Sequence, residues 1–126
     1  MLKNIILTTV LVLFTSILGF SQVICFDILG KGSDGSIKCS GTICESDFFN
    51  RITVDINDLG QIEYTTSNKE LLDDNTIKWD CTFISGQMLV KTLQITKQKC
   101  KHGTNVFFFS IPSKNGNISI YKTVKR

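Results

Sequence analysis

From Thr76 to Lys125 the apolar and polar positions fall into four runs, TIKWDCTFI, QMLVKTLQITK, TNVFFFSI and NISIYKTVK, cut by Ser85-Gly86 and by Pro112 to Gly116. In the first run Ile77, Trp79, Cys81 and Phe83 alternate with Lys78, Asp80 and Thr82. That is the two-residue period of a strand with one buried face. In the second, Leu89, Leu93 and Ile95 share one parity while Met88 and Val90 hold the other, so its start is apolar on both faces. Phe107, Phe108 and Phe109 likewise put bulk on both faces of the third. β-Branched and aromatic side chains lose rotamer freedom in a helix, and here they are dense. The four runs therefore predict an antiparallel meander. With Ser85-Gly86 as a two-residue turn, Ile84 pairs with Gln87 and Cys81 lies opposite Val90.

The N-terminal half continues the pattern. Gln22 to Ile28 predicts a first strand, and the glycine-rich LGKGSDGS from Leu29 to Ser36 a loop. Ser36 to Ser40 and Thr42 to Cys44 read as two short arms around Gly41. Ile52, Val54 and Ile56 alternate with polar residues, Asn57 to Gly60 turns the chain, and Ile62 and Tyr64 answer. Phe49 to Ile56 and Gln61 to Thr66 thus predict a hairpin. Ser67 followed by Glu70, with Leu71 and Leu72 behind, has the capping-box pattern of one helical turn. The expectation is an all-β fold, a small antiparallel barrel or sandwich of about seven to eight strands.

The first 21 residues change the picture of where that fold works. Lys3, the apolar stretch Ile5 to Leu18 and the small residues of Gly19-Phe20-Ser21 match a secretory leader cleaved after Ser21. The apolar stretch is shorter than the roughly 20 residues of a membrane span. Residues 22–126 are then expected to form one small β domain, secreted or periplasmic.

Export makes disulfides the leading use of the cysteines, all of which follow the leader. Cys39 and Cys44, facing each other across the arms around Gly41, are the first-choice pair; Cys25, Cys81 and Cys100 are the other candidates. Along an extended chain Cys81 and Cys100 would lie about 30 Å apart, which disfavours joining them. Five is an odd number, so at least one thiol is free or paired between molecules.

Candidate chemistry is sparse. Asp55 to Gly60 half-matches a calcium loop but carries Leu59 where an oxygen ligand belongs and Thr66 where the bidentate Glu would be, so a hairpin turn explains it better. Cys100-Lys101-His102 sets a thiol beside the only histidine without an orienting group. Asp73-Asp74 lies on a polar stretch where both carboxyls ionise. Asn117-Ile118-Ser119 is a glycosylation acceptor in a eukaryotic host. Trp79 shares its parity with Ile77 and Phe83, which marks it as core. No catalytic residue, cofactor or metal ligand is predicted.

Charge is the one uneven feature. From Asp27 to Asp80 eleven acidic residues face five basic ones, a balance of −6; from Cys81 onward there are eight basic residues and no acidic one. Such asymmetry points to an anionic partner, or to two oppositely charged halves seated together in one fold. The meander sets Lys97, Lys99, Lys101, Lys125 and Arg126 at one pole with Lys122 close by, and Glu70, Asp73 and Asp74 on a loop Asn68 to Asn75 reaching it. The expectation is a non-enzymatic binding or inhibitor module for a protein or an anionic glycan or lipid surface, with no nucleic acid involved. The alternative is an envelope-associated structural subunit assembling through the odd cysteine or an exposed strand edge.

Overall fold

A computed structural model describes residues 23–83, 93–101, 105–113 and 117–126. The predicted leader Met1 to Ser21, the Ser85-Gly86 turn and His102 lie outside the described residues. Eight strands follow in order: β1 (Ile24–Lys31), β2 (Gly41–Ser46), β3 (Arg51–Ile56), β4 (Gly60–Asp73), β5 (Thr76–Phe83), β6 (Leu93–Lys99), β7 (Val106–Pro112) and β8 (Ile118–Lys125). Each pairs antiparallel with its neighbour in sequence, and β8 returns to pair with β1, with Phe26 opposite Lys125. The fold is a closed up-and-down barrel.

The two-residue periodicity sends alternate side chains inward. Phe26 and Ile28 of β1, Ile43 of β2, Ile52, Val54 and Ile56 of β3, and Tyr64 of β4 meet Trp79 and Cys81 of β5, Ile95 of β6, Phe109 and Ile111 of β7 and Tyr121 of β8. An eight-stranded barrel is just wide enough for such side chains to fill, or to hold one small ligand. Each fully buried Phe, Ile or Val contributes about 1.5–3 kcal/mol. The Tyr64 hydroxyl, taken inside with its ring, donates to the Pro112 carbonyl at 2.7 Å.

Five expectations are corrected by this geometry. The disulfide joins Cys25 to Cys44, not Cys39 to Cys44. Gly41 is not a hairpin tip but the first residue of β2, opposite Ile56, where a Cβ would run into the Asp55 carbonyl. Residues 38–40 form no strand, whereas Cys25 and Cys44 are cross-strand partners with Cα atoms 4.1 Å apart. The capping-box segment is strand: Ser67 to Asp73 continues β4 against β5, because the neighbouring hairpin arm outbids a single isolated turn. Cys81 pairs with Leu93 instead of Val90, three residues further along than a two-residue turn allows. Finally, the acidic stretch Asn68 to Asn75 is a hairpin end of β4 and β5, not a loop.

Alternation of strand direction sorts the connections between two ends of the barrel. One end carries the loop between β1 and β2, the β3–β4 turn and the β7–β8 connection. The other end, the rim considered below, carries the β2–β3 turn (Asp47 to Asn50), the β4–β5 turn (Asp74 and Asn75), the β6–β7 connection, Val23 and Arg126.

Candidate functional site

Just beneath that rim the barrel interior holds two charges. Glu45, near the end of β2, and Lys97, near the end of β6, occupy inward positions and are both buried. The Lys97 ammonium donates to both carboxylate oxygens, Oε1 at 2.9 Å and Oε2 at 3.1 Å. Three rings surround the same nitrogen: Phe26 of β1 at 5.2 Å, Trp79 of β5 at 5.4 Å and Phe107 of β7 at 5.5 Å to their centroids. The negative ring faces attract the cation, and burial strengthens that attraction. Phe26 also meets the edges of Phe107 and Phe109, which fixes the ring positions. A second pair lies above the first at the surface. Lys69 of β4 reaches Asp47 of the β2–β3 turn at 2.8 Å and sits 5.9 Å from the same indole.

The predicted basic pole is only partly assembled. Lys97 leaves it, because its parity in β6 matches Leu93 and Ile95 and turns it inward. Lys122 leaves it too: its stem lies against Gly35 and its charge acts on Asp34, both in the loop at the opposite end. Arg126 is at the rim but pairs with Asp27 at 2.9 Å. Lys99, Lys101 and Lys125 do share the rim, tied through the Lys125 N–H donating to the Asn105 carbonyl. Asp73 and Asp74 reach the same end, where the Lys99 N–H donates to the Asn75 carbonyl. The Glu45–Lys97 and Asp27–Arg126 bonds each join the acidic half of the chain to the basic half.

The remaining candidates separate. Cys39 and Cys100 are half-buried free thiols, and Cys81 is a buried one. Burial, with the Asp80 charge adding to it, pushes the Cys81 thiol up to about 12. Burial likewise raises Tyr64 and Tyr121 above the ordinary phenol range. Asp55 to Gly60 contains the β3–β4 turn, with Asp58 and Gly60 at positive φ. Asn117 is exposed ahead of β8, and Trp79 is in the core.

The sequence reading missed Glu45 and the interior role of Lys97. A signal was present: Glu45 follows Ile43 at one parity, and Lys97 follows Ile95, so strict alternation marks both as inward. No protein-family model, curated protein or solved structure matches the chain.

Proposed function

We propose that this protein is an exported binding module, secreted or periplasmic and not an enzyme, that engages an anionic partner through the rim. The carrying observation is that Lys99, Lys101 and Lys125 share that rim and form no ion pair among the described residues. By contrast, Arg51, Lys69, Lys78, Lys97 and Arg126 are each matched to a carboxylate. Export is supported by the leader pattern of Met1 to Ser21 and by the Cys25–Cys44 bond, which suits an oxidising compartment. A binding role is supported by the interior pair, whose two charges are spent on each other and not on a nucleophile.

The test replaces Lys99, Lys101 and Lys125 together with Gln and compares elution from heparin across a salt series. The variant should elute at lower salt and with a shallower salt dependence, since exposed charges act only within about 8 Å in physiological salt. Identical elution of parent and variant sinks the proposal.

A second reading, assembly between copies, draws on β4. β3 accompanies it only as far as Thr65, so Ser67 to Asp73 is paired by β5 alone. Register shifts between Thr66 and Lys69 and between Leu71 and Asp73, with Lys69 in the middle, discourage pairing along that edge, so this reading ranks below the first. A single monomeric species in sedimentation under non-reducing conditions would remove this reading.

A further inference from the structure

We propose that the anionic partner is a lipid bilayer surface, met by a continuous arc of the rim that is basic on one side and apolar on the other. This rests on the anionic-partner reading above and narrows it.

The arc follows from the closure of the barrel. Because β8 pairs with β1, the described strand ends at the rim run in order from β6, through β7, β8 and β1, to the β2–β3 turn. Lys99 and Lys101 begin it, and Lys125 continues it beside Arg126, which is paired with Asp27. Arg126 donates its N–H to the Cys25 carbonyl at 3.1 Å, which sets the basic end of β8 beside the start of β1. There Val23 and Ile24 are exposed, and one strand further Phe48 and Phe49 are 55% and 60% exposed. The two phenyl rings meet edge to face at 4.9 Å, covering each other in part and leaving their outer faces open.

The turn that presents them is held by its own hydrogen bonds. The Asn50 N–H donates to the Asp47 carbonyl, the Phe49 N–H donates to the Ser46 hydroxyl, and Asn50 takes a positive φ of 52°. Asp47, which precedes the rings in the turn, is paired with Lys69 at 2.8 Å. Asp73 and Asp74 are carried by the β4–β5 turn, away from the β8–β1 seam but next to the Lys99 end of the arc, where the Lys99 N–H donates to the Asn75 carbonyl. An anionic bilayer suits both sides of the arc: lysines meet the head groups, and aromatic side chains enter the boundary of the acyl region. A glycan would use the lysines but offer the exposed phenyl pair no apolar layer to enter, whereas a bilayer offers head groups and acyl boundary in the one arrangement that the arc presents.

The experiment sediments the protein with vesicles of phosphatidylcholine alone and of phosphatidylcholine mixed with phosphatidylglycerol, with heparin retention measured in parallel. Two variants are compared with the parent, Phe48→Ser/Phe49→Ser and Lys99→Gln/Lys101→Gln/Lys125→Gln. Fluorescence of Trp79, the only tryptophan, checks that both fold. The parent should bind the mixed vesicles and not the neutral ones. The phenylalanine variant should bind them about tenfold more weakly. The lysine variant should lose about a hundredfold. A parent that is retained by heparin but does not sediment with the mixed vesicles overturns the bilayer proposal and leaves the anionic-partner reading standing, and a phenylalanine variant that binds the mixed vesicles like the parent overturns the apolar half of the arc. A parent retained by neither vesicles nor heparin overturns both.

Discussion

Lys97–Glu45 and Lys69–Asp47 are nearly the same interaction in two settings. The closest N–O distances are 2.9 and 2.8 Å, and the two ammonium groups lie 5.4 and 5.9 Å from one indole. The side chains of the inner pair are 11% and 6% exposed, those of the outer pair 44% and 63%. Water screens the outer pair, so it is worth less than about 1 kcal/mol. The inner pair sits where each unmatched ion costs several kcal/mol, so its two members depend on each other absolutely. Distance alone does not rank ion pairs; the medium does.

The comparison breaks most visibly if one inner charge is removed. Lys97→Ala or Glu45→Ala should lower unfolding free energy by about 3–5 kcal/mol, because the survivor stays buried and unmatched. Chemical denaturation followed through Trp79 fluorescence reads this directly. The double change Glu45→Leu/Lys97→Met should recover most of that loss, since matched apolar groups avoid desolvation altogether. A single variant as stable as the parent would mean that the inner pair is hydrated like the outer one.

A smaller effect contrasts the inner charges with the neutral polar groups that share the interior. The Cys81 thiol stands at about 12 in the fold against an ordinary 9.0, and Tyr64 and Tyr121 are raised in the same direction. Above the ordinary value the unfolded chain releases protons that the folded chain keeps. Stability from this source is therefore complete below about pH 9 and declines as pH climbs towards 12. Unfolding free energies measured between neutral and strongly alkaline pH should fall less steeply in Cys81→Ala than in the parent. Parallel profiles would show that the buried thiol is not part of the decline.

The outer pair should respond least. Asp47→Ala is expected to cost less than about 1 kcal/mol and to matter less still at high salt. A loss comparable to that of the inner variants would erase the distinction between the two settings.

Alternation made most of the barrel legible in the chain. Ile52, Val54 and Ile56 in β3, and Ile77, Trp79 and Cys81 in β5, follow the parity that the structure buries, as the sheet's period requires. Ser67 and Glu70 misled because a four-residue capping pattern is satisfied locally, while the pairing that overrides it comes from Lys78, Trp79 and Cys81 on the next strand. Cys25, a candidate ranked behind Cys39 as the partner of Cys44, was misplaced for a similar reason: which strand lies beside β2 is decided by the loop between them, and spacing does not encode it. The inner pair was legible in principle. Reading lysine and glutamate as solvent-facing by type, against their parity, hid it.

The seam between β1 and β8 sets a timetable for folding. Each of the other neighbouring strand pairs is consecutive in the chain, whereas the Asp27–Arg126 bond across the seam spans 99 residues. Hairpins can zip from their turns within microseconds, but a contact of that range must wait until the intervening strands have drawn its ends together. Substitutions at the seam should accordingly hasten unfolding and leave the refolding rate almost untouched, with Arg126→Ala, which removes an exposed pair, changing the unfolding rate only slightly. The lifetime of the closed ring would then be governed by its last-made join, which is also where the two arms of the rim meet.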